Sequence, residues 1–182
     1  MDFPRGSTIK KLPNILGNQH PFNDDDFILD GTVLEDGGEL QGPACKTLCA
    51  YWLSLLENSG PTGPEWHDVK LMDLYKIAPQ LIVKDVIAGG EAFLNRYWGT
   101  RITDAFGIDA TGLCESDYLK DRAVEKVQKF LQYTIRELRY VKISGTAKFF
   151  PTREFLSFEA VYIPIFDKDM NPTQILLTFD FD

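Results

Sequence analysis

The end of the chain is the strongest constraint on its fold. In "TQILLTFDF", residues 173–181, Ile175, Leu177, Phe179 and Phe181 alternate with Leu176, Thr178 and Asp180. A period of two places the first set on one face of a strand, and that face needs an apolar layer against it. Two more strand-like runs precede it, "VKISGTAKFF" and "FLSFEAVYIPIF". The turn-rich stretches "PTRE" and "DKDMNP" separate the three. Strands joined this closely pair antiparallel, and helices from elsewhere in the chain must cover them.

Two further strands lie upstream. "QLIVKDVI" and "AFLNRYWG" flank "AGGE", a hairpin signal. Gly99 ends the second of them. "TRITDAF" then reads as a short helix closed by Gly107, and a long helix is expected from about Asp117 to Tyr140. Val124, Val127, Leu131, Ile135 and Leu138 form its inward stripe. An earlier amphipathic helix begins near residue 44, with Leu48, Tyr51, Trp52, Leu55 and Leu56 at three- and four-residue steps. "NSGPTGP" stops it, and "HDVKLMDLYKI" supplies one or two further helical turns. Residues 1–40 show no sustained period and read as an extended or partly disordered leader to a domain over 41–182. The expected fold is therefore α+β: a five-stranded antiparallel sheet, a helical crossover on one face and an N-terminal flanking helix. The first two strands reach the last one only because the crossover carries the chain there.

Charge and composition narrow the function. A net charge of -8 argues against a broad phosphate-binding surface, so no nucleic-acid partner is expected. No apolar run approaches the roughly 20 residues of a membrane helix. The first twenty residues lack the apolar core of a signal peptide, and a cytoplasmic location is expected. Three cysteines, Cys45, Cys49 and Cys114, are too few for a disulfide framework. With only His20 and His67 beside them, no metal site is expected.

Candidate binding residues come from the second strand and the step after it. Alternation puts Phe93, Asn95 and Tyr97 on one face and Leu94, Arg96 and Trp98 on the other. A buried Asn95 needs partners, which a ligand would supply. Arg101, just beyond Gly99, meets either an anionic ligand group or a carboxylate such as Asp85 or Asp104. Tyr133 and Tyr162 are aromatic wall or core. Leu48, Tyr51, Trp52 and Leu55 on the leading helix form an aromatic-rich stripe, either a dimer interface or a cap on the domain. An enzyme would need a pair such as Asp85 and Tyr97 in an apolar pocket, and no nucleophile elbow, P-loop or paired-histidine motif accompanies them.

Four segments taken in order resemble a PAS domain, in particular the single-domain alphaproteobacterial PAS family long catalogued as a domain of unknown function. They are Tyr51-Trp52 followed by the Gly/Pro stop, "IAPQLIVKDV", "RYWGTRITDAFGIDATG" and "FEAVYIPIF". The resemblance covers about residues 50–181. It implies a sensory or interaction module that holds a small ligand between sheet and helices, or forms a homodimer, and passes the change to a signalling partner. The chain leaves no room for an output domain, so a stand-alone module is expected. Haem would need an axial histidine in the crossover, and neither histidine is there. The flavin-adduct chemistry of this fold class uses a cysteine near a crossover helix. Cys114 in "TGLCESDYL" has that place, without the Asn and Arg expected around it. Neither haem nor flavin is expected, which leaves an unidentified small ligand. A ligand-free adaptor is the alternative reading, and a small α+β isomerase or dehydratase, one of the cone-shaped enzymes, is the second alternative.

Overall fold

The computed structural model describes residues 28–33, 39–60, 63–148 and 156–182. The rest of the expected leader lies outside them. Among the described residues six strands form one antiparallel sheet: β1 (Ile28–Val33), β2 (Leu81–Ile87), β3 (Ala92–Trp98), β4 (Val141–Lys148), β5 (Leu156–Phe166) and β6 (Pro172–Phe181). Their order across the sheet is β1-β4-β5-β6-β2-β3. The expected count of five is thus one short. The added strand comes from the stretch read as leader, and its Val33 stands opposite Ile143 of β4.

The crossover is what puts β2 beside β6. Leu81 faces Thr178 and Ile82 faces Leu177, joining the first hairpin to the last strand. Between β3 and β4 run α2 (Thr100–Phe106), α3 (Glu115–Tyr118) and α4 (Asp121–Glu137). The chain leaves β3 at Gly99, where close approach demands glycine. A Cβ there would collide with the Pro79 carbonyl oxygen and stand 2.6 Å from that of Ala78.

Both faces of the sheet are buried, and the strand alternation sorts the residues between them. Ile82, Ile175, Leu177 and Phe179 pack under α2–α4 with Trp98, Phe106 and Leu131. Leu81, Val83, Val161, Ile163 and Leu176 pack under α1 (Pro43–Asn58). This double burial is why β5 reads as an almost unbroken apolar run. Pro164 in β5 stands beyond the end of its pairing with β4, and its carbonyl accepts the Trp52 indole N–H at 3.2 Å. The long helix expected over 117–140 is broken at Leu119–Lys120. It ends earlier too, at Leu138, which adopts φ 54° and is exposed rather than part of the inward stripe.

Two carboxylates fasten α1 to the sheet. Glu159 and Asp180 face each other across β5 and β6, an arrangement that is repulsive by itself. The unpaired amides at the start of α1 lie over them. Gln41 and Gly42 N–H donate to Glu159 Oε2 at 2.8 and 2.6 Å. Ala44 and Cys45 N–H donate to Asp180 at 3.3 and 2.8 Å. Four amide donors at the positive end of a helix dipole offset the repulsion and satisfy groups that the helix cannot pair internally.

This seating decides where the α1 stripe goes. Leu48 and Trp52, expected at a dimer interface, are buried in the chain's own core beneath α1. Tyr51 is half-buried, with its hydroxyl accepting the Lys70 N–H at 2.8 Å. Leu55 is half-buried, while Leu53 and Leu56 face outward. The reason is that the sheet has a second apolar face, and α1 is the element that covers it. Leu48→Ala is expected to destabilise by about 2–5 kcal/mol, and Leu53→Ala by no more than about 0.5 kcal/mol. Urea unfolding of the two variants measures the difference.

Candidate functional site

A β-bulge sets the geometry of the site. Val83 faces Tyr97 and Lys84 faces Asn95, which leaves Arg96 as the extra residue on β3. An extra residue switches the faces of everything after it. Phe93 and Asn95 point under the crossover as the alternation predicts. Beyond the bulge Trp98 joins them, and Tyr97 turns to the other side. There its hydroxyl donates to the Ala78 carbonyl at 3.0 Å, and the side chain is part exposed. Arg96 pairs with Asp85 at 2.7 Å and lays its guanidinium 5.1 Å from the centre of the Trp66 ring.

Under the crossover lies a cavity of about 30 Å³. Ile82, Lys84, Trp98, Phe106, Tyr118 and Tyr162 are among its walls. Most of the lining is apolar, and the aromatic rings meet edge-on. Trp98 stands 5.4 Å from Phe106 and 6.0 Å from Tyr118, centre to centre.

The one charged side chain in this wall, Lys84, belongs to a polar cluster that extends behind it. Lys84, Asn95 and Glu115 are all buried. The Lys84 ammonium donates to Asn95 Oδ1 at 2.6 Å and forms a short ion pair with Glu115 Oε1. Asn95 Nδ2 donates to the Leu113 carbonyl at 2.9 Å and reaches the Tyr118 hydroxyl at 3.4 Å. The backbone repeats the attachment. Asn95 N–H donates to Leu113 O at 3.0 Å, and Gly112 N–H donates to Asn95 O at 2.7 Å. Asn95 therefore ties the 110–114 segment to the free edge of β3, and Lys84 ties α3 to the sheet beneath it.

Two buried polar atoms have no partner among the described residues: Glu115 Oε2 and Trp98 Nε1. Each group desolvated without a hydrogen bond costs about 1–3 kcal/mol, more when charged. Burial, with the Glu115 carboxylate adding to it, raises the Tyr118 and Tyr162 phenols above the ordinary tyrosine value of 10.0. For Tyr118 the Asn95 hydrogen bond opposes the rise. Both phenols stay protonated at neutral pH. Any stability tied to their protonated form is fully present below pH 10 and is lost as pH climbs above it. The Cys114 thiol is likewise raised, first by burial and then by Glu115 and Asp117. A thiol kept protonated is a poor nucleophile.

The remaining expectations fall as follows. Phe93 is fully buried core. Tyr162 lines the cavity. Tyr133 is half-buried on α4 with the Arg136 guanidinium 5.0 Å from its ring centre, outside the cavity lining. Arg101 is exposed on α2, and Asp85, one carboxylate proposed for it, is held by Arg96 instead. Asp85 and Tyr97 do not share a pocket: the first pairs at the surface with an exposed arginine, the second bonds to Ala78. Among the described residues no cluster of His, Cys, Asp or Glu is arranged to hold a metal, and no helix is long and apolar enough to cross a membrane. Lys84, Trp98, Glu115 and Tyr118 were not among the expected site residues. The signal available for Lys84 is a single cation inside the apolar run "LIVKDVI".

Compared with known proteins, the chain matches no family model and no curated protein.

Removing one member of a buried ion pair leaves the other uncompensated, at a cost of about 3–5 kcal/mol. Replacing both with apolar groups is often neutral or better. Lys84→Met is expected to lose stability in that range, and Lys84→Met with Glu115→Leu to recover most of it. Denaturant unfolding of the two variants checks the pair.

Proposed function

We propose that this chain is a PAS-like sensory or signalling module that binds a small molecule between its sheet and its crossover helices. The observation that carries the reading is the Lys84–Asn95–Glu115 cluster, buried beside an apolar cavity. An ion pair held out of water is weak support for stability, since desolvation takes back most of its attraction. Convergent polar groups in an otherwise apolar pocket are the usual mark of a binding site. Support also comes from the fold. The β2–β3 hairpin lies beside β6, as the order of elements requires, and α2, α3 and α4 cover the face that would hold the ligand.

The module would act through a second protein, and a homodimer belongs to the same proposal. On α1 the residues open to such contacts are Leu53 and Leu56, not Leu48 and Trp52. The adaptor alternative has one observation in its favour. Leu71, Met72 and Tyr75 are exposed in the turns before β2, with Met72 at 79%. Native mass spectrometry of freshly purified protein separates the two. The ligand-binding reading expects added mass from a small molecule that leaves on gentle activation. A bare polypeptide mass in every charge state contradicts it and favours the adaptor.

A further inference from the structure

The only charged side chain in the cavity wall is a buried amine. We propose that Lys84 takes a very small aldehyde in the cavity and holds it reversibly as an iminium. This rests on the ligand-binding reading above and gives it a chemical class.

Three features lead there. The first is the amine itself. Lys84 lines the cavity and is 3% exposed. Its ammonium carries three hydrogens, and Asn95 Oδ1 and Glu115 Oε1 accept two of them. The third has no acceptor among the described residues. A lysine amine desolvated in an apolar pocket is a recurrent partner for a carbonyl carbon. The second is a path for protons. Glu115 lies behind the wall in contact with Nζ. A proton passed to it leaves a neutral pair, which relieves the desolvation of two ions and frees the nitrogen lone pair. Asn95 also reaches the Tyr118 hydroxyl at 3.4 Å, and Tyr118 lines the same cavity. The third is size. A cavity of about 30 Å³ has room for on the order of two or three water-sized groups, which suits a two-carbon aldehyde.

The step balances within the site. Nζ gives one proton to Glu115 Oε1, and its lone pair forms a C–N bond to the carbonyl carbon while the C–O π pair moves to oxygen. Tyr118 relays a second proton from nitrogen to that oxygen. Glu115 returns the first proton, the C–O bond breaks as the nitrogen pair forms C=N, and water leaves. Ammonium and aldehyde have become iminium and water, and the positive charge again faces the Glu115 carboxylate.

Acetaldehyde with cyanoborohydride tests this on the unaltered protein, because the hydride turns each iminium into a permanent ethyl group that peptide mass mapping locates. At limiting acetaldehyde, Lys84 is expected to be ethylated at least about tenfold faster than the exposed Lys46, Lys70 and Lys126. The preference is expected to vanish in guanidinium chloride. Benzaldehyde, too large for the cavity, is expected to label the exposed lysines and spare Lys84. A preference that survives the denaturant, or one that benzaldehyde shares, overturns the assignment to this cavity. Ethylation of the exposed lysines without Lys84 overturns the iminium. If the native mass spectrum then still shows a bound small molecule, the pocket reading stands without it. If that spectrum shows a bare polypeptide, both fall.

Discussion

A lysine and a glutamate held out of water between sheet and crossover organise this molecule's helical side. Each ion loses several kcal/mol of hydration on burial, so the pair contributes little net stability compared with the apolar contacts around it. What it contributes is position. Lys84 is fixed in the sheet with strands on both sides, and Glu115 opens a four-residue helix whose Tyr118 is buried in the same core. With Asn95 bonded to the same ammonium and to the segment before α3, the crossover is pinned at one point above β2 and β3. The aromatic contacts among Trp98, Phe106 and Tyr118 then close around that point, each worth about 0.5–1.5 kcal/mol beyond its buried area.

The opposite face solves a comparable problem with the charges at its margin. Glu159 and Asp180 would repel across neighbouring strands. The start of α1, which carries unpaired amides and a partial positive charge, rests on both. Below that contact the face is mostly apolar, and its buried Thr178 donates its hydroxyl to the Gln80 carbonyl at 3.1 Å. Carboxylates bonded to backbone amides serve as a fixture for a helix, whereas a carboxylate paired with a lysine beside a cavity has one oxygen left over. That difference separates the structural face from the candidate binding face.

The sequence made the large features legible where a single period dominates. Ile175, Leu177 and Phe179 fall under the crossover as their alternation requires, and Leu48 and Trp52 lie on the buried side of their helix. Period-two reasoning failed at one residue. The bulge at Arg96 left Phe93 and Asn95 in place but exchanged Tyr97 for Trp98, so one wall of the cavity was assigned to the wrong side chain. Helical reasoning overran at Leu138, whose left-handed backbone no apolar stripe can announce. β1 was hidden because "ILDGTV" is short and lacks a clean alternation. Glu115 was hidden for another reason. An acidic residue in the first turn of a helix is ordinary, and nothing local reveals that its partner is thirty-one positions away on the sheet.

Amide hydrogen exchange at Asn95 and Gly112 tests most directly whether the buried pair fastens the crossover. These two N–H groups bond the 110–114 segment to β3. If the pair holds that segment down, both exchange in the unaltered protein as slowly as the central strands. In folded Glu115→Gln they exchange at least about tenfold faster, by local opening, while β5 keeps its protection. Unchanged protection of Asn95 and Gly112 in that variant would show that the crossover is held by something else.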